Sequence, residues 1–142
     1  MASRIELAER FLQAFNRRKY READLRDFVA PDAVIAMPPV GLELHGYEGV
    51  FQYNDAWVKG FSDGRVQDDV RSTDKGDYVE TTFTGKGTFD GEFATPQGNV
   101  FGDGSHKVEV PFVQRCWVEG DKVTRVELHF DAQSLMKQMG LM

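Results

Sequence analysis

Cysteine is almost absent from this chain. Cys116 stands alone among 142 residues, so no intrachain disulfide can form and no cysteine-based zinc site exists. It sits in an apolar, strand-like run, which reads as a buried, inert thiol rather than a nucleophile. Long hydrophobic runs are missing too: nothing approaches the roughly 18 apolar residues that span a bilayer. The opening MASRIELAERF has charges every few residues and no apolar h-region, which speaks against a secretory signal. The expectation is a soluble, cytoplasmic protein. Positive charge is the scarcer sign, 17 Lys and Arg against 23 Asp and Glu, and the net charge of -6 disfavours nucleic acid or an anionic membrane as partner. The one basic cluster, NRRKYR at 16–21, reads as a solvated helix end.

Hydrophobic residues make up 41% and charged residues 28%, the balance of a globular domain, and no linker or repeat divides the chain. A single domain over 1–142 follows. The first half has helical periodicity. Ser3 and Glu6 form a capping box, followed by Ile5, Ala8, Leu12 and Phe15 at helical spacing. A second helix is predicted over Tyr20–Val29, ending before Pro31. AVIAM (33–37) is a short strand, GLELHG (41–46) a strand or turn, and a third helix starts near Gly46 with Val50, Tyr53, Trp57 and Phe61 along one side.

From there the period changes to two. Strands are predicted at 65–73, 77–89, 107–118 and 122–131, separated by DKGD, TPQGNVFGDGS and EGD, with an amphipathic tail, QSLMKQMGLM. In 77–89 one face carries Val79, Thr81, Phe83, Gly85, Gly87 and Phe89. In 107–118 it carries Val108, Val110, Phe112, Gln114 and Cys116, and in the last strand Val126, Leu128 and Phe130. Glycines within a strand imply bending or close approach by a ligand or backbone. The fold class is therefore α+β: a conical, curved, mostly antiparallel sheet with helices over its concave face and an interior pocket.

No phosphate loop, zinc motif, dinucleotide fingerprint or nucleophile elbow is present. The stretches FLQAFNRRKYREADLRDFVAPDAVIAMPPVGLELHGYEGV, GKGTFDGEFATPQGN and EGDKVTRVELHFDAQSLMKQMGL, in that order, resemble the SnoaL-like polyketide cyclases of the nuclear-transport-factor-2-like superfamily. The resemblance implies an α+β barrel, a homodimer, and a deep apolar pocket for a small hydrophobic ligand. It also implies ring closure by an acid/base carboxylate on the last strand, without cofactor or metal. The family pattern places a histidine where this chain has Phe89, and an acid three residues before Asp131, where it has Leu128. Both departures remove groups that move protons.

Glu127 and His129 lie two apart on one strand and so share a face as a candidate acid/base pair. The competing reading is a solvated pair on the outer face or at a dimer interface, because the opposite face is the apolar one; a one-residue slip would turn Glu127 inward. Tyr53, Trp57, Phe89, Phe112, Gln114 and Leu128 are the expected substrate-binding residues, with core packing as the alternative for Tyr53 and Trp57. Gln114 is polar on an apolar face, so it bonds either to protein or to a ligand. Asp131 reads as the N-cap of the tail helix. His45 and His106 read as solvated, Asp90 and Glu92 as a solvated turn, and Asp55, Asp63, Asp68 and Asp69 as surface charge. Three functions remain open: a cofactor-free cyclase or isomerase acting on a polyketide- or terpenoid-like molecule, a binding module with the same pocket, or an interaction protein using the sheet's outer face. In the first, Gln114 or Tyr53 bonds a carbonyl or enolate oxygen.

Overall fold

The hydroxyl of Ser3 accepts the backbone N–H of Glu6 at 3.1 Å, the cap that the sequence predicts, and starts helix α1 (Arg4–Leu12). The computed structural model describes residues 3–12, 22–66, 69–95 and 98–141; Phe15, the NRRKYR cluster and Asp68 lie outside them. Leu7, Ala8, Phe11 and Leu12 form the buried face of α1. Helix α2 (Glu22–Arg26) ends earlier than expected, because Phe28 turns back onto Leu25 and the chain becomes strand β1 (Val29–Met37). Sheet pairing thus overrides helical periodicity. Pro31 is tolerated because the pairing of β1 shifts register between Val29 and Val34, where no ladder N–H is required.

A 3-10 turn at Pro38–Val40 and Gly41, at φ 65°, reverse the chain into β2 (Leu42–His45). Helix α3 (Gly46–Gly60) follows and buries Val50, Tyr53, Asn54 and Trp57. The strand expected at 65–73 is two short ones, β3 (Arg65–Val66) and β4 (Arg71–Asp74), both antiparallel to β5 (Val79–Phe89). Asp69 fills the gap between them: its carboxylate accepts the N–H of Thr84 at 3.1 Å and the hydroxyl at 2.5 Å, replacing the missing ladder.

Beyond β5 lies a hairpin where a loop was expected, β6 (Glu92–Thr95) and β7 (Gly98–Phe101). Strands β8 (His106–Glu119) and β9 (Lys122–Phe130) and helix α4 (Ala132–Gln138) complete the chain. Asp131 caps α4, accepting the N–H of Ser134 at 3.1 Å. The main sheet runs β2-β1-β9-β8-β5-β3, with β4 also on β5; among the described residues only β1 and β9 pair in parallel. The molecule is thus α+β, with a large, mostly antiparallel sheet. Its inner face carries the apolar set read from alternation: Val79, Phe83, Phe89, Val110, Phe112, Cys116, Val126 and Leu128 are all buried. Among the described residues no helix is long and apolar enough to cross a membrane.

Candidate functional site

Helix α3 presents Trp57 to the sheet, and Phe61 follows it just past the helix end. Strand β5 supplies Phe83 and β8 supplies Phe112, so period 3.6 and period two converge on one aromatic cluster. Phe83 and Phe112 stack at 5.3 Å and 14°. The edge of Trp57 meets Phe112 at 5.6 Å and Phe130 at 5.8 Å. Trp57, Phe61, Phe83 and Phe112, with Val108, Val110 and Leu135 of α4, wall a chamber of about 40 Å³, room for little more than a water or two as it stands. Its wall is apolar apart from Lys86.

The glycines of β5 explain how the rings come so close. A Cβ on Gly85 would stand 2.6 Å from Cε2 of Phe112, and one on Gly87 would stand 3.1 Å from Cβ of Phe61. The space left by the missing side chains is therefore filled by aromatic rings, not left open.

The chamber borders a wider groove of about 610 Å³ lined by Asp63, Lys86, Gly87, Thr88, Lys107, Val108, Glu109 and Gln138. Lys86 and Val108 line both. Lys86 pairs with Glu109 at 3.4 Å. Asp63 accepts the N–H of Thr88 at 2.6 Å and its hydroxyl at 2.9 Å. Across the base of the β6–β7 hairpin, Asp90 accepts the N–H of Ser62 at 3.0 Å, and the Ser62 hydroxyl bonds its other oxygen. Asp63, Asp69 and Asp90 are exposed, as read from sequence, and in addition fasten the segment after α3 to β5.

The expected site residues separate into three groups. Trp57 and Phe112 line the chamber. Phe89, 2% exposed, backs it, its ring 5.8 Å from Phe61. Tyr53, Gln114 and Leu128 are fully buried elsewhere in the core and form no part of the chamber wall. Tyr53 packs on Phe11 at 6.0 Å, and burial pushes its phenol pKa far up. Gln114 donates from Nε2 to the carbonyl of Ala8 at 3.0 Å, tying β8 to α1, while its Oε1 has no hydrogen-bond partner among the described residues.

Glu127 and His129 do meet, at 2.9 Å, but on the outer face of β9, with Val126 and Leu128 turned into the core between and beside them. The outer-face reading of Glu127 is the one the structure shows, without the one-residue slip that would turn it inward: β8–β9 pairing sets it opposite Arg115 and sets Leu128 opposite Gln114. Arg125 donates to the Glu127 carboxylate at 2.9 Å. Burial pushes this carboxyl up, yet the hydrogen bonds from His129 and Arg125 outweigh it and hold the pKa below its ordinary value. Among the described residues no group of three or more His, Cys, Asp or Glu side chains is arranged to hold a metal.

Sequence reasoning missed Lys86 and Leu135. Alternation puts Lys86 on the outer face, where it does pair with Glu109. Its glycine neighbours Gly85 and Gly87 carry no side chains to screen it from the chamber. Leu135 was legible only as one apolar position of the tail.

The SnoaL-like domain family matches residues 8–126. No protein of curated function matches the sequence significantly. Among solved structures, a candidate SnoaL-like polyketide cyclase from Jannaschia sp. CCS1 superposes with a TM-score of 0.76 at 20% identity, over 96% of this chain and 90% of that one. A hypothetical protein with a ketosteroid isomerase-like fold from Catenulispora acidiphila DSM 44928, in complex with trimethylamine, gives 0.75 at 16% identity, over 99% and 96%. A candidate polyketide cyclase from Xanthomonas campestris pv. campestris gives 0.73 at 20% identity, over 94% and 93%. Likeness at these identities establishes the shared fold.

Proposed function

Because the chain belongs to the SnoaL-like domain family, we propose that it takes the ring or chain of a small hydrophobic molecule into the aromatic chamber, whose rings part to admit it, and moves a proton on it, in a cofactor-free reaction of the cyclase or isomerase type. The observation that carries this reading is the aromatic chamber itself, walled by Trp57, Phe61, Phe83 and Phe112 beneath α3 and α4, with Lys86, among the described residues, its one charged lining residue. An apolar chamber holds the carbon skeleton, and proton transfer falls to whatever titrates at its mouth.

Glu127 and His129 are the closest acid/base pair in this reading, but they stand across the sheet from the chamber. Glu109 and Lys86, 3.4 Å apart, share that outer face, but of the four Lys86 alone also lines the chamber, which makes this the candidate pair at its rim. A cyclic 1,3-diketone in deuterated buffer tests the chemistry by NMR. Proton exchange at its acidic carbon should be accelerated by the protein, persist in Glu127→Gln, and fall at least tenfold in Glu109→Gln. Loss in Glu127→Gln with the fold intact would return the role to the outer face. Val108→Phe, which fills the boundary between chamber and groove, should abolish binding.

A second reading, binding without chemistry, is favoured by one fact: no carboxylate or histidine lines the chamber. Diketone binding with no exchange above buffer would select it. We also propose that a second copy docks on the outer face of β8 and β9 to make a homodimer. Arg115 and Arg125 stand there beside Glu80 and Glu127, with Trp117 against Tyr78 at 5.1 Å, so the face carries both signs and can complement itself. Sedimentation at micromolar concentration checks this; a monomer would overturn it.

A further inference from the structure

The chamber as it stands admits little more than water, so a ligand enters only if one wall moves. Its walls are held to very different degrees. Strands β5 and β8 pair residue by residue, from Val79 opposite Cys116 to Phe89 opposite His106. The end of α3 is pinned where Gly60 accepts the N–H groups of Asp90 and Gly91. Helix α4, which closes the chamber with Leu135, has no comparable anchorage.

Its hydrogen bonds turn back on the tail itself. Asp131 accepts the N–H of Ser134, Nε2 of Gln138 donates to the Ser134 hydroxyl at 3.1 Å, and the N–H of Leu141 donates to the Met136 carbonyl. Among the described residues one hydrogen bond ties the tail to the sheet: Oε1 of Gln138 accepts the N–H of Glu109 at 2.7 Å. That N–H needs an outside partner because β9 ends at Phe130, opposite Phe112, and leaves this stretch of β8 as an edge. The rest of the attachment is packing. Leu135 and Met139 are buried, and Gly140 rests on the His106 ring.

The tail is also placed to move as one piece. A single residue, Asp131, joins α4 to β9. The ring of Phe130, just before it, lies 5.3 Å from Phe112 and 5.8 Å from Trp57. Swinging α4 about Asp131 therefore withdraws Leu135 and lets Phe130 follow, which gives the chamber rings room to part.

We infer that α4 is the gate of the chamber, hinged at Asp131 and latched by Gln138 on the edge of β8. The inference rests on the chamber reading above and adds the route by which a ligand enters. A latch sets how often the open state is reached. Weakening it speeds entry and exit alike.

The first test needs no ligand. In Leu135→Cys the introduced thiol should react with a small thiol reagent about 100-fold faster than Cys116, because local opening of α4 exposes it whereas Cys116 awaits unfolding. Mass spectrometry identifies which thiol is labelled. The second test is stopped-flow mixing with 2-naphthol, read by tryptophan fluorescence, since Trp57 lines the chamber. Gln138→Met, which keeps the side chain's size and removes the acceptor, should raise association and dissociation rates about threefold each. Affinity should change less than either rate. Equal labelling of the two thiols overturns the gate whether or not naphthol binds, and so do unchanged rates in Gln138→Met. Naphthol bound by neither protein, with the introduced thiol still labelled first, overturns the chamber reading and leaves the moving helix in place.

Discussion

A methyl group added at Gly85 would stand 2.6 Å from Cε2 of Phe112, well inside van der Waals contact. The Phe112 ring cannot simply retreat, because Phe83 stacks on one side of it and Trp57 and Phe130 hold it on others. Gly85→Ala should therefore cost about 1–3 kcal/mol through overpacking, read as a lower urea midpoint. Phe112→Leu in the same chain should restore part of the loss. If Gly85→Ala is neutral, the close ring packing is wrong. Cys116 makes the opposite point, since its chemistry is suppressed by its place. It is 0% exposed, and burial pushes its thiol pKa up to about 12. A thiol reagent should label it only as fast as the protein unfolds, and rapid labelling under native conditions would contradict that burial.

At the scale of elements, the capped helix and the unpredicted hairpin show two kinds of control. Asp131 accepts the N–H of Ser134 at the start of α4, a cap worth about 1 kcal/mol. Asp131→Ala should lower stability by about that amount. It should also loosen Leu135, which α4 sets against the chamber, and weaken binding of a hydrophobic probe; both are measurable in one thermal-shift titration. The β6–β7 hairpin has no such local signature. Each strand is four residues long, too short for alternation to stand out. What holds it is tertiary. Phe93 packs on Trp57 at 5.3 Å, and the N–H groups of Asp90 and Gly91 both reach the carbonyl of Gly60 at the end of α3. The approach is so close that a Cβ on Gly91 would lie 1.8 Å from the Lys59 carbonyl oxygen.

The whole molecule is acidic, and several of its carboxylates are engaged in the folded state. Hydrogen bonds from Thr84 hold Asp69 below its ordinary pKa of 3.8, and those from Ser105 do the same for Asp103. Glu127 is also held below its ordinary 4.5. Unfolding frees these groups to bind protons more readily, so the unfolded chain takes up more protons in acid and stability falls as pH drops. Their contribution is complete above the ordinary values and disappears as pH passes down through the lower folded ones. Urea midpoints measured between neutral pH and about pH 3 should decline across that window. Asp69→Asn should flatten the decline while lowering stability at neutral pH. An unchanged slope would mean that the Asp69 clip does not persist in solution.

The sequence by itself determined which side chains go inward. Period-two alternation placed Phe83, Phe112, Gln114, Cys116, Val126 and Leu128 on one face, and all of them are buried, because a strand can satisfy its hydrophobic set in only one orientation. It also determined the Ser3 and Asp131 caps, whose partners lie within three residues. Only the tertiary structure decided the rest. Whether an inward residue meets the chamber or solid core depends on which helix lies over it: Phe112 faces Trp57, whereas Gln114, two residues along the same strand, is bonded to Ala8 of α1. Likewise no local pattern reveals that Asp63 and Asp69 bind threonines on β5, or that Lys86 comes to border both chamber and groove. Those contacts join segments far apart in the chain, and a short-range pattern carries no record of long-range neighbours.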